Sequence, residues 1–273
     1  IKKPKRWMEN FLGNALAREG VPTNFFVDNI SEDVDILVSN SLSLEELKKL
    51  NRLKYLIIPT GGTEGICTRD VLQKNIKVYH DPSITAKGVA DYVVHNLEKL
   101  LENQTSEFMR KSTVGLLGFG NLGKEIYRSL IKYRCCFEVF TKETNPYPEI
   151  NARKGVAGLL AFLSNSDIII NTLPFNKETN GLLYNKNSQI KREALVVSVS
   201  RAGIIDDHSV LEDTIKGKLS GAVLDVYTED INPNNYTHRS IILTPHIAGI
   251  YGKALNNLVQ FIKKSIHEAS ERM

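Results

Sequence analysis

Cysteine is scarce in this chain of 273 residues: the three present are Cys67, Cys135 and Cys136. That number and spacing exclude a disulfide framework. No His or Cys stands at ligand spacing beside the Cys135/Cys136 pair, which argues against a zinc site, and the pair reads as core material at a strand start. Long hydrophobic runs are lacking too. Nothing approaches the ~20 apolar residues needed to span a bilayer, and the basic opening "IKKPKRWMENFL" has no apolar stretch of a secretory leader, so the cytoplasm is the expected address and no membrane partner is expected. Charge of one sign is not in excess: 35 Lys and Arg stand against 31 Asp and Glu, a net +4. The positive residues are scattered, which argues against a nucleic-acid partner. What is there is an ordinary globular composition, 42% hydrophobic and 24% charged, at a length that suggests two lobes or one large α/β unit.

Short apolar, β-branched runs alternate with longer segments of helical period. "FFV" (25 to 27), "DILVS" (35 to 39), "YLIIP" (55 to 59) and "IKVYH" (76 to 80) read as strands, with "SLEELKKL" between the second and third starting a short helix at the capping-box pair Ser43 and Glu46. From 86 to 103, Val89, Tyr92, Val93, Leu97 and Leu100 recur at helical spacing and predict a long helix between two lobes. The alternation then restarts. Strands are expected over 114 to 118, 137 to 141, 167 to 172, 194 to 200, 221 to 226 and 241 to 245, with helices from Leu122, near 156 to 163 and over 206 to 217. Six strands with helical crossovers predict a parallel, doubly wound α/β sheet. Leu255, Leu258, Phe261, Ile262 and Ile266 predict one closing helix.

At the first strand of that second set stands "VGLLGFGNLG" (114 to 123), a GxGxxG turn between a buried strand and a helix. Alone this is a weak signal; in a βαβ context it is a dinucleotide fingerprint. Gly118 would make the turn, Gly120 would let the backbone approach a pyrophosphate, and Gly123 would let helix pack on strand. The helix start at Asn121 and Leu122 would present free N–H groups and a positive dipole end to the phosphates. The usual acid at the end of the next strand, which holds the ribose hydroxyls, is replaced by Thr141 and Lys142. A hydroxyl and an ammonium suit a ribose phosphate, which favours NADP; Glu143 close by keeps NAD open.

Downstream, "VVSVSRAGIIDDHSVL" (196 to 211), "GAVLDVYTED" (221 to 230) and "IILTPHIAG" (241 to 249) resemble, in order and spacing, the signature blocks of D-isomer-specific 2-hydroxyacid dehydrogenases. The likeness runs from about 53 to 250 and takes in "LKYLIIPTGGTEGI" and "VYHDPSITAKGVADYVV". It implies a Rossmann nucleotide domain, residues 83 to 250, inserted in a smaller flavodoxin-like substrate domain of 1 to 82 plus 251 to 273. Members of that family usually open with a strand, and "IKKPKRW" makes a poor one.

The resemblance also implies roles. Arg201 corresponds to the arginine that grips the substrate carboxylate and keto oxygen, a task that suits a planar, permanently charged guanidinium. His246 corresponds to the acid/base, and an imidazole titrates near operating pH. The family's partner glutamate falls at Asp230, one methylene shorter, with Glu229 beside it as the alternative. Asp225 corresponds to the residue that orients the nicotinamide amide. Thr172, Leu173, Pro174 and Thr179 match the block that runs along the coenzyme's ribose and phosphates, and Ser200, His246 and Gly249 fall in cofactor-contacting blocks. Gly61 and Gly62, in "TGGTEG", match the loop whose backbone N–H groups bind the substrate carboxylate; outside this context they would be an ordinary turn. His80 is a further cleft candidate.

The expected function is therefore an NAD- or NADP-dependent oxidoreductase acting on a small 2-keto acid of the glyoxylate, hydroxypyruvate or glycerate class, without a metal and, by resemblance, as a homodimer. Two alternatives stand: a catalytically weak NAD(H)-sensing or partner-binding relative, which the altered acid at 230 would fit, and a formate or phosphite dehydrogenase of the same fold.

Overall fold

The computed structural model describes residues 6–21, 30, 32–142, 147–183 and 189–273. The strand expected over 25 to 27, and Glu143, lie outside the described residues. By contact the chain divides into two compact units, Ile1–Gly88 with Gly249–Met273, and Val89–Ala248.

The first unit opens on a helix, α1 (Arg6–Arg18). Strands β1 (Ile36–Val38), β2 (Tyr55–Ile58) and β3 (Lys77–His80) form a parallel sheet in that order. Helix α2 (Leu44–Lys49) starts at the expected capping box: Ser43 Oγ accepts the Glu46 N–H at 3.2 Å, and Glu46 Oε2 accepts the Ser43 N–H at 2.8 Å. Helix α3 (Thr68–Gln73) was not legible in the sequence, since six residues with one buried side chain, Val71, show no period. Helix α4 (Pro82–Leu101) begins earlier than the apolar period indicates, because Pro82 is preset for a first helical turn and Asp81 Oδ1 accepts the Ser83 N–H at 2.9 Å.

The second unit continues with α5 (Thr105–Lys111), β4 (Thr113–Leu117), α6 (Asn121–Leu130), β5 (Cys136–Phe140), β6 (Asn151–Arg153), α7 (Gly155–Asn165), β7 (Ile168–Asn171), β8 (Leu195–Ser198), α8 (Asp207–Ile215), β9 (Gly221–Leu224) and β10 (Ile241–Leu243). Its seven strands are parallel, in the order β10-β9-β8-β7-β4-β5-β6. From β4 the chain adds β5 and β6 on one side and then returns to add β7 on the other. The crevice outside the strand ends beside β4 is where such sheets take ligands. Strands β7, β8 and β9 are buried at every position, as sheets covered on both faces require.

Two expectations needed correction. The sheet has a seventh strand: "NAR" is too polar to read as one, but Asn151 and Arg153 both donate to the buried Glu138 of β5, which holds β6 at the edge. The cysteine pair is not core material either, since Cys136 is exposed and Cys135 half-buried. The last helix, α9 (Ala254–Ser270), belongs to the first unit. Its Leu258, Val259 and Ile262 pack with Ile57 and with Leu12, Leu16 and Val21. Leu12 and Leu16 lie one helical turn apart in α1, and that face binds the opening segment as a helix. Among the described residues no helix is long and apolar enough to cross a membrane.

Candidate functional site

The strand register aligns Phe140, Leu117, Asn171, Ser198, Leu224 and Leu243 in one row across the second sheet. Because the strands are parallel, the residues that follow each of these emerge along one edge. Thr141 and Lys142 follow β5, Gly118 follows β4, Thr172 follows β7, Ser200 and Arg201 follow β8, Asp225 follows β9 and His246 follows β10. Six segments far apart in sequence thus deliver their polar residues to one side of the sheet.

The glycine turn fits a dinucleotide on its own geometry. Gly118 sits at φ +104°, and a Cβ there would lie 2.9 Å from Thr172 Oγ1. At Gly123 a Cβ would meet the Gly118 carbonyl at 2.5 Å, so α6 can pack on β4 only without a side chain there. Gly120 is the opposite case: it is the N-cap of α6, and among the described residues no side chain caps that helix and nothing lies within 4 Å of a Cβ placed on it. Uncapped N–H groups facing open space make a phosphate cradle.

The turn after β7 is braced around this cradle. Thr172 Oγ1 donates to the Gly118 carbonyl at 3.0 Å. Asn171 Nδ2 donates to Ser198 Oγ at 3.2 Å while its Oδ1 accepts the Leu173 N–H at 3.3 Å, fixing Leu173 and the Pro174 that follows. Thr179 is buried, and its hydroxyl donates to the Pro174 carbonyl at 2.5 Å and accepts the Asn176 N–H at 2.9 Å. In this structure the Thr179 side chain shapes its own loop. Ser200 Oγ is buried with no hydrogen-bond partner among the described residues, so it is left for a ligand group. Arg201 is half-buried, and Nη1 donates to the Ser200 carbonyl at 2.9 Å.

His246 stands in a turn that Asp225 clamps. Asp225 is 1% exposed; its Oδ1 accepts Thr244 Oγ1 at 2.6 Å and the Ile247 N–H at 2.8 Å, and its Oδ2 accepts the Ala248 N–H at 2.9 Å. The Tyr92 hydroxyl lies 2.5 Å from Thr244 Oγ1 and donates to it, since the Thr244 proton goes to the carboxylate. The His246 N–H itself donates to the Asp225 carbonyl at 2.9 Å, and the residue is held at φ +62°, in the left-handed region. Asp225 thus braces the His246 turn with three of its acceptor positions, a role the sequence did not show.

The Asp230 carboxyl has a neighbour that the sequence did not show. Its Oδ2 lies 2.8 Å from His208 Nε2, while His208 Nδ1 lies 3.1 Å from the Tyr236 hydroxyl. Hydrogen bonds from Thr228 and His208 hold the Asp230 carboxyl below the usual carboxylate range. Behind this pair, Asp207 is 3% exposed, with Oδ2 accepting the Thr228 N–H at 3.0 Å and Oδ1 unpartnered among the described residues. Burial, with Asp206 and Asp230 adding to it, pushes the Asp207 carboxyl up to about 6.

In the first unit, Thr60 Oγ1 donates to the Gly62 carbonyl at 3.0 Å and His80 Nε2 lies 2.8 Å from the Thr60 carbonyl, so His80 steadies the "TGG" loop. A Cβ on Gly61 would strike Thr85 Oγ1 at 2.6 Å, whereas one on Gly249 would make ordinary contact with Thr85 Cβ at 3.8 Å. Asn171, Tyr92, Thr244 and His208 are the residues that sequence reasoning passed over. Only Thr244 carried a local signal, its place before Pro245 and His246; the other three matter through partners distant in the chain.

A parallel sheet with a glycine cradle at the reversal of its strand order is a dinucleotide-binding α/β fold of the Rossmann type. The chain belongs to the D-isomer specific 2-hydroxyacid dehydrogenase family, whose NAD binding domain model matches residues 86–248. It is 28% identical over 179 residues to glyoxylate/hydroxypyruvate reductase A of Enterobacter sp. (strain 638), an alignment covering 64% of this chain and 55%, about half, of that protein. To the glyoxylate reductase of Thermococcus gammatolerans it is 21% identical over 276 residues, covering 90% of this chain and 82% of that one. Among solved structures, D-2-hydroxyisocaproate dehydrogenase shares the fold with a TM-score of 0.75 at 18% identity, over 97% of this chain and 94% of that one.

Proposed function

We propose that this chain is an NAD(P)-dependent reductase of small 2-keto acids, of the glyoxylate and hydroxypyruvate class, forming the D-2-hydroxy acid. The observation that carries the reading is the Asp225-clamped turn, which fixes His246 on the same sheet edge as the glycine cradle and Arg201. The names of the Enterobacter and Thermococcus relatives support the substrate class.

In this reading Gly118, Gly120, the α6 start at Asn121 and Leu122, and Gly123 hold the pyrophosphate, while Leu173, Pro174 and Ser200 line the rest of the coenzyme. The bound reduced nicotinamide supplies the hydride. Arg201 grips the substrate carboxylate and keto oxygen, which suits a planar, permanently charged guanidinium. His246 gives its proton to the keto oxygen as that oxygen gains charge, and takes it back in the reverse direction. Asp230 is the acid assigned to His246. NADPH is the favoured coenzyme, because Thr141 and Lys142 stand at the end of β5 where an acid would repel a ribose phosphate. A homodimer completes the reading, and light scattering checks it.

One observation favours a second reading, a coenzyme-binding sensor with weak turnover: the Asp230 carboxylate is engaged by His208. The deciding experiment follows absorbance of the reduced nicotinamide with glyoxylate or hydroxypyruvate for wild type, His246→Ala and Arg201→Leu. The reductase reading expects turnover in wild type and a loss of about a hundredfold or more in kcat for His246→Ala. Coenzyme binding without turnover on any small 2-keto acid hands the site to the sensor.

A further inference from the structure

Lys142 Nζ donates to Glu178 Oε2. The two residues belong to different loops: Lys142 follows β5, Glu178 lies in the loop after β7, and these strands flank β4, whose end carries the glycine cradle. The ion pair therefore joins the two banks of the site beside the cradle. Glu178 is held there by its backbone, since Asn176 Oδ1 accepts the Glu178 N–H at 2.9 Å and the Thr179 N–H at 3.1 Å, and the buried Thr179 hydroxyl ties the turn to Pro174. The side chains themselves stay wet, Lys142 75% and Glu178 69% exposed. An exposed pair of this kind is weak and exchanges partners readily.

The sequence lacks the acid that usually ends β5 in a dinucleotide-binding unit, and Thr141 and Lys142 stand in its place. Glu178 brings a carboxylate to the same place from the opposite bank. Its charge has opposite consequences for the two coenzymes. Next to a ribose bearing free hydroxyls it is a hydrogen-bond acceptor, the task of the missing acid. Next to a 2′-phosphate, with about two negative charges, it repels, and it also competes for the Lys142 ammonium that would otherwise pair with the phosphate.

We propose that Glu178 is a specificity-determining residue that moderates the preference of this site for NADPH over NADH by sharing Lys142 with the ribose phosphate. The inference rests on the coenzyme reading above and deepens it.

The test titrates NADPH and NADH, followed by reduced-nicotinamide fluorescence without substrate, into the wild-type full chain, Glu178→Gln, Lys142→Gln and the double variant. Removing one like charge near a wet site changes affinity about threefold to tenfold. Glu178→Gln is expected to raise the NADPH-to-NADH affinity ratio by that factor and Lys142→Gln to lower it. In the Lys142→Gln background the Glu178 change is expected to have a smaller effect on the ratio, because the shared partner is gone. If both coenzymes bind and the ratio in Glu178→Gln stays within about twofold of wild type, the inference falls alone. If neither coenzyme binds the wild-type chain, the coenzyme reading falls and takes the inference with it.

Discussion

Two glycines three residues apart should fail in opposite ways when each is given a methyl group. At Gly123 the added Cβ would stand 2.5 Å from the Gly118 carbonyl oxygen, a backbone atom that cannot swing aside. Overpacking of this kind costs about 1–3 kcal/mol, partly offset by the ~1 kcal/mol that alanine gains over glycine in a helix. The net loss, up to about 2 kcal/mol, corresponds to a drop of up to roughly 8 °C in Tm for a unit of this size. At Gly120 the backbone is φ −75°, ψ −160°, open to any residue, and among the described residues nothing lies within 4 Å of the added carbon. Stability should change by less than about 1 kcal/mol, the scale of an N-cap exchange. The methyl group would instead fill the space that a pyrophosphate must enter. Losing one charge-assisted hydrogen bond there costs about 1.5–3 kcal/mol, so NADPH and NADH should both bind about tenfold to a hundredfold more weakly. Thermal melts and fluorescence titration of the two variants side by side separate the effects. Wild-type coenzyme affinity in Gly120→Ala, or an equal loss of Tm in both variants, would refute the assignment of the cradle.

Further outcomes follow from the same contacts. Asp225→Asn keeps the shape but turns an amide donor towards the N–H of either Ile247 or Ala248; it should cost about 1–3 kcal/mol in urea melts and lower kcat more than it weakens coenzyme binding. Tyr92→Phe removes only the outer member of that network and should cost about 1 kcal/mol, with coenzyme affinity unchanged. Asp207 makes stability depend on pH: burial raises its pKa from 3.8 to about 6, so the folded state holds the proton more tightly than the unfolded chain. The unfolded chain sheds its proton first, and stability falls as pH climbs from about 4 to about 6, by roughly 3 kcal/mol at most. Asp207→Asn should flatten that part of the stability curve; an unchanged slope over the same window would contradict the account.

Much of the nucleotide-binding unit was legible because its central strands β7, β8 and β9 are buried on both faces and so read as unbroken apolar runs. "DIIINT" and "ALVVSVS" need no partner to be recognised, and the glycine turn carries its geometry in three residues. Strand β6 was hidden, since "NAR" is a strand only because Glu138 lies opposite it. The opening helix was hidden for a similar reason: Leu12 and Leu16 gain their meaning from α9, more than 200 residues away. The site shows the same limit. Arg201 and His246 sit inside recognisable blocks, yet the Asp225 brace spans 22 and 23 residues, the Lys142–Glu178 pair 36 and the Tyr92–Thr244 contact 152. At Asp230 counting along the block could not show His208, 22 residues away, which stands against one oxygen of its carboxylate.

The central claim is reduction of a small 2-keto acid to the D-2-hydroxy acid with His246 as proton donor. The most direct measurement incubates the purified chain with hydroxypyruvate and NADPH, then separates the product on a chiral column, with His246→Ala in parallel. The account predicts D-glycerate from wild type, in amounts matching the coenzyme oxidised, and almost none from the variant. L-glycerate, or an undiminished yield from His246→Ala, would contradict it.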